Sequence, residues 1–197
     1  QLEPGVKKEF TIDRISMDIG EIERSELLKK AIIGNKNSTV AEVIEKLNNS
    51  DWVNKGIAYV NINEEPALCP FCQHKTITKG FIRQMEDFFD ESYKKDRQKL
   101  SELLDLYLNK TKNLIDDIEV LKKNRFMENS QKDIDVCILE LKTIIEINKD
   151  RLQKKIDTPS IVIALESFEA SIQQINELIK NTNKNIVIDL GIKEFAT

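Results

Sequence analysis

The chain has 197 residues, of which 32% are charged, 40% hydrophobic and only 6% aromatic, with six Gly and four Pro. That length allows one compact domain or a smaller head with an extended arm, and so few breakers favour long helices over a turn-rich sheet. The net charge of -4 speaks against a generally nucleic-acid-binding surface, and no apolar run approaches the ~18–20 residues that span a bilayer.

The opening QLEPGVKKEF has no apolar signal-peptide core and no initiator Met, so we expect a segment of a longer protein that is not secreted. Three cysteines fit a cytoplasmic chain better than a disulfide framework. Residues 1–37 form an N-terminal linker or partly helical segment: Phe10, Ile12, Ile15 and Met17 roughly alternate, and a helical pattern follows around Ile22, Leu27, Leu28 and Ile32. Residues 38–78 are expected to be a helical head. Ser38 is placed to cap a helix with Val40, Val43, Ile44 and Leu47 on its apolar face, and Ser50 or Asp51 to cap a second one carrying Trp52 and Gly56.

The stretch NINEEPALCPFCQHKTIT has two prolines and no helical period, which marks a loop or small knuckle. Residues 79–185 are expected to be long antiparallel helices. After a cap at Thr78, one helix is predicted from about 79 to about 123, roughly 65–70 Å long. Phe89, Tyr93, Leu100, Leu103, Tyr107, Leu114, Ile118 and Leu121 keep a heptad-compatible stripe, with Asp96 and Lys110 at two seam positions. NRFMENSQKD reads as a reversal. A helix from about 133 to 156 carries Ile134, Ile138, Leu141, Ile145, Leu152 and Ile156. A last helix is predicted to carry Ile161, Leu165, Phe168, Ile172, Ile175 and Ile179, spaced alternately by 4 and 3. Residues 186–197 form a C-terminal segment, a short apolar strand or the start of a further element. The expected class is all-α: a small head with a cysteine knuckle, and long helices packed as a bundle or a coiled-coil arm.

There is no GxxxxGK[ST] loop, no GxGxxG and no HExxH, and one histidine cannot build a hydrolytic triad. We therefore expect no enzyme activity from this chain by itself. Chemistry concentrates in Cys69-Pro70-Phe71-Cys72-Gln73-His74. A Cys-x-x-Cys turn holds both sulfurs on one side with backbone amides aimed at them, which suits half of a tetrahedral zinc site at ~2.3 Å per Zn–S bond. His74, Cys137 or a second copy of the motif would supply the rest. His74 follows Cys72 by only two residues, which makes it a weak candidate. Cys137, between Val136 and Ile138, reads as a small buried hydrophobe. A redox pair would need a strand leading directly into a helix, and the helix here starts several residues later. Reduced, metal-free thiols in a structural turn remain the plain alternative.

Trp52-Val53-x-x-Gly56, then LCPFCQ, then a long charged helix resembles the middle segment of bacterial ATP-binding-cassette-type ATPases related to the RloC and PrrC anticodon nucleases, over roughly residues 38 to 125. That resemblance implies a helical, coiled-coil insertion in a cytoplasmic ATPase with a setting in phage defence, and a zinc-hook-like CPxC in which Cys69 and Cys72 are ligands and two chains complete the four. Trp52, Gly56, Pro70 and Phe71 are the accompanying motif residues. This sequence has Gln73 where the family usually has Gly, and its cysteines precede the long helix instead of standing between two. The implied role is a non-catalytic module that links ATPase heads or passes their nucleotide state to an effector, by homodimerisation or by contact with the head of the same protein. The rival reading is a metal-free helical module that binds a protein or a nucleic acid, the latter through Lys94, Lys95, Arg97 and Lys99.

Overall fold

The computed structural model describes residues 11–61 and 63–189. Two four-residue helices, α1 (Gly20–Glu23) and α2 (Glu26–Lys29), precede α3 (Ala41–Leu47) and α4 (Ser50–Ile57). A hairpin of β1 (Ala67–Leu68) and β2 (Lys75–Ile77) leads into α5 (Lys79–Phe88), α6 (Glu91–Lys122), a 3-10 turn (Arg125–Ser130), α7 (Gln131–Asp157) and α8 (Glu169–Asp189). The protein is mostly α-helical with two short strands.

Several boundaries depart from the predicted ones. Ser38 does not cap α3, because its N–H donates to Asn35 O in a turn and the helix starts three residues later. Ala41 and Ile44 are buried on α3, while Val43 and Leu47 face outward. Thr78 does cap α5, its hydroxyl accepting from the Phe81 N–H at 3.2 Å. The single helix expected from 79 to 123 is broken at Phe89–Asp90. Asp90 restarts it as an N-cap, its carboxylate accepting from the Tyr93 N–H at 3.0 Å. Phe10 and the residues after Asp189 lie outside the described residues.

The described chain divides into two compact units, and α6 and α7 each contribute to both. One unit comprises residues 11–21, 106–149 and 165–189. Tyr107, Leu114, Ile118 and Leu121 of α6 are buried, as are Ile134, Cys137, Ile138 and Leu141 of α7 and Ile175, Ile179 and Ile186 of α8. The α6 and α7 stripes pack largely as read, whereas the last helix starts only at Glu169, after Ile161, Leu165 and Phe168. Lys110, a polar seam position, donates to Asp18 O at 2.5 Å. The 3-10 turn is the expected reversal, and across it Lys122 pairs with Asp135. The extended segment 11–19 runs along α8, held by two asparagines seven residues apart. Asn176 takes the Ile15 N–H at 2.9 Å and donates to Ile15 O at 2.8 Å. Asn183 does the same for Ile12, at 2.9 Å each way. Buried Asn148 grips Glu166 identically, at 2.7 and 2.9 Å.

The other unit comprises residues 22–105 and 150–164. Residues 161–164 here, and Leu165 of the first unit after them, are not helical, although Ile161, Leu165 and Phe168 keep heptad spacing. Ile161, Ile163 and Leu165 also alternate, and along the extended chain those three are half-buried while Val162 and Ala164 are exposed. Two backbone bonds join residues 28–32 to 159–163: Ile32 N–H donates to Pro159 O at 3.0 Å, and Ile163 N–H to Leu28 O in α2 at 2.9 Å. Lys155 of α7, fully buried, plugs between them. Its ammonium donates to Lys30 O at 2.7 Å, to Pro159 O at 2.8 Å and to Ile161 O. Lys30, whose carbonyl is used here, turns its side chain to Asp96 at 2.7 Å, which settles the other polar seam position. No described helix is long and apolar enough to cross a membrane.

Burial pushes Lys155 from 10.5 down to about 8; Asp51 pulls it back up and Lys30 pushes it further down. The folded chain releases this proton more readily than the unfolded one, so the penalty is complete below about pH 8 and is relieved as pH rises toward 10.5. Lys155→Met should cost about 2–3 kcal/mol at neutral pH, mainly through the Lys30 and Ile161 carbonyls left without a donor, since Pro159 O keeps the Ile32 N–H. Measured by urea unfolding, the stability of wild type relative to the variant should be flat below pH 8 and rise between pH 8 and 10.5. A fall over that interval would mean that the three carbonyls favour the ammonium by more than burial disfavours it.

Candidate functional site

The cysteines sit at the tip of the hairpin, not in an irregular loop. The strands are antiparallel, with Ala67 opposite Ile77 and Leu68 opposite Lys75. Ala67 is buried and roots the hairpin in its unit. Its far end is tied to α5, whose Lys79 N–H donates to the Glu65 carboxylate at 3.1 Å. A carboxylate at a helix N-terminus is favoured there by the unpaired amides.

Two backbone bonds close the tip: Cys69 N–H to His74 O at 2.8 Å, and Gln73 N–H to Cys69 O at 3.0 Å. The closure places Gln73 at φ +59°, a left-handed conformation that glycine adopts freely and other residues adopt at a cost. Here Gln73 offsets part of the cost by donating its side-chain amide to Pro70 O at 3.0 Å.

Cys72 is exposed and Cys69 partly so, and neither is in a disulfide. The His74 backbone N–H, then the Cys69 thiol and the Thr76 hydroxyl, hold the Cys72 thiol below its ordinary value. Thr76 was not singled out in the sequence, and only the register of β2 brings it there. His74 Nδ1 lies 2.8 Å from Cys72 O, and because a carbonyl can only accept, that nitrogen carries the proton. Cys137 belongs to the other unit's core, where burial pushes its thiol up, with Glu140 and Asp133 adding to the effect. Among the described residues no group of three or more His, Cys, Asp and Glu converges as a metal-ligand set.

The other motif residues do come together. Trp52 and Gly56 are four apart on α4 and share a face. Phe71 lies on that face, stacked on Trp52 with ring centres 4.8 Å apart and planes at 24°. A Cβ on Gly56 would stand 3.4 Å from Phe71 Cζ, an ordinary van der Waals contact, so the ring packs directly over this position. Pro70 precedes Phe71 and supplies the carbonyl that holds Gln73. One face of α4 thus lies against the cysteine tip through the Trp52–Phe71 stack.

The sequence matches the model of the AAA_13 family, described as an AAA domain, over residues 4–188. The chain belongs to this AAA-domain family. The family is found in SMC-like and ABC ATPases, which relates the chain to those proteins. No curated protein and no solved structure matches it. In the basic run of this AAA-domain chain, Lys94, Lys95 and Lys99 are exposed, Lys94 also pairing with the exposed Glu91 at 2.7 Å, and Arg97 is half-buried.

If Phe71 holds Trp52 in place, Phe71→Ala should strip most of the near-ultraviolet circular dichroism of this single tryptophan while lowering stability by only about 0.5–1.5 kcal/mol, the worth of one exposed aromatic pair. An unchanged tryptophan signal would show that the two rings do not stack in solution.

Proposed function

We propose that this chain is the non-catalytic helical part of a cytoplasmic SMC-like ATPase of the RloC/PrrC kind, and that it joins two copies through zinc held by Cys69 and Cys72 of each. One observation carries the reading: two thiols share an exposed, backbone-braced hairpin tip, and no third donor within the described chain joins them. The donor set fits zinc in kind, since thiolates at a Cys-x-x-Cys turn are its common structural ligands. In number it is half a tetrahedral site.

In this account the chain's own groups do the work. The His74 backbone N–H and the Thr76 hydroxyl favour the thiolate form of Cys72, which is the form that binds metal. The two bonds between Cys69, Gln73 and His74 hold both sulfurs on one side of the tip. Zinc would supply cross-linking, so association would depend on metal and on deprotonated thiols. The sequence carries no GxxxxGK[ST] loop, so ATP hydrolysis is assigned to other parts of the parent protein, and this chain to coupling between ATPase heads and an effector. The nucleic-acid alternative rests on the exposed Lys94, Lys95 and Lys99 alone, in a chain whose net charge is -4, and salt-dependent binding to duplex DNA or RNA would favour it.

The test is zinc content and mass by sedimentation. One zinc per two chains, with dimers lost on chelation and in Cys69→Ser and Cys72→Ser, is expected. A chain that stays monomeric at saturating zinc, or that binds one zinc per monomer, contradicts the proposal.

A further inference from the structure

We infer that the stacked Trp52–Phe71 pair is the apolar collar of the contact between two copies, packed around the shared ion; this rests on the metal-bridged reading above. Trp52 is 57% exposed and Phe71 60% exposed, although they stack on each other. Both rings stay more than half exposed side by side at the cysteine tip, where a partner held by the thiols would meet them. Aromatic side chains of this kind, and tryptophan above all, are the ones enriched where proteins meet.

Geometry names the occupant. Four sulfurs bound at ~2.3 Å to one tetrahedral ion lie about 3.8 Å from one another. Phe71 is the residue before Cys72, and consecutive α-carbons are about 3.8 Å apart. Any chain whose Cys72 shares an ion with this one must therefore approach within side-chain reach of Phe71, and Trp52 lies directly behind it. The second copy presents the same rings by symmetry, so the patch is self-complementary.

Size sets the hierarchy. Aromatic side chains bury about 150–250 Å² each when fully covered, and these rings are already part-covered. Four of them give on the order of 400 Å², far below the roughly 1,200 Å² of a stable interface. The collar cannot hold two chains without the metal. It strengthens and shields a contact that the metal makes, by keeping water from the thiolates.

Trp52 is the only tryptophan, so its fluorescence reads the contact directly. The chain is titrated with zinc chloride and followed by acrylamide quenching of Trp52 together with sedimentation. Expected is a quenching constant that falls by about half or more as dimers form and recovers on chelation, with Phe71→Ala raising the dimer dissociation constant at saturating zinc about tenfold, the loss typical of a truncated interfacial aromatic. Zinc-linked dimers in which Trp52 stays as quenchable as in the monomer overturn the collar and leave the bridge intact. Monomers throughout overturn the bridge and the collar together. The wild-type quenching result decides even where Phe71→Ala folds poorly.

Discussion

Extended chain inside a helical protein leaves backbone donors and acceptors with no sheet to pair them, and each buried one must find a partner. This protein answers with polar side chains at helix seam positions. Lys155 saturates three carbonyls of two extended segments. Asn148, Asn176 and Asn183 each accept one N–H and donate to the carbonyl of the same residue. An asparagine amide does this well because its oxygen and its NH₂ sit side by side, matching the edge of an extended residue. The connections that position the helices depend on these contacts more than on any loop-to-loop packing.

The same device explains where periodicity misleads. On α7, Ile134, Leu141, Asn148 and Lys155 follow one another at seven-residue steps, so the polar members stand in line with the apolar ones and are buried with them. Counting only hydrophobics reads the stripe correctly but misses its two most consequential residues. Residues 161–165 fail for a different reason: Ile-x-Ile-x-Leu satisfies alternation and heptad spacing at once. The choice between them is made by backbone pairing with residues 28–32 and by Lys155, neither of which is local. The break at Phe89–Asp90 was legible in principle, since aspartate followed by glutamate is a helix start, but a continuous aromatic stripe concealed it.

The cysteine knuckle was legible as a turn with two thiols on one side. Its placement on a hairpin and the part played by Thr76 were not, because strands of two and three residues leave no alternating pattern to read. Trp52, Gly56 and Phe71 could be paired with the cysteines only by resemblance. In the structure the helix period puts Trp52 and Gly56 on one face, and the Phe71 ring packs on that face. Next to Cys72 in the chain, Phe71 and its partner Trp52 form an exposed aromatic pair, on a hairpin whose Ala67 is buried and whose Glu65 is bonded to α5.

The central claim is that Cys69 and Cys72 are half of a metal site completed by a second copy. Cobalt(II) in place of zinc tests it most directly, because tetrahedral tetrathiolate cobalt has intense visible bands that weaker or mixed donor sets lack. The account predicts that these bands saturate at one cobalt per two chains, with a midpoint that shifts with chain concentration. Saturation at one cobalt per chain, independent of chain concentration, or the absence of a tetrahedral thiolate spectrum, would contradict it.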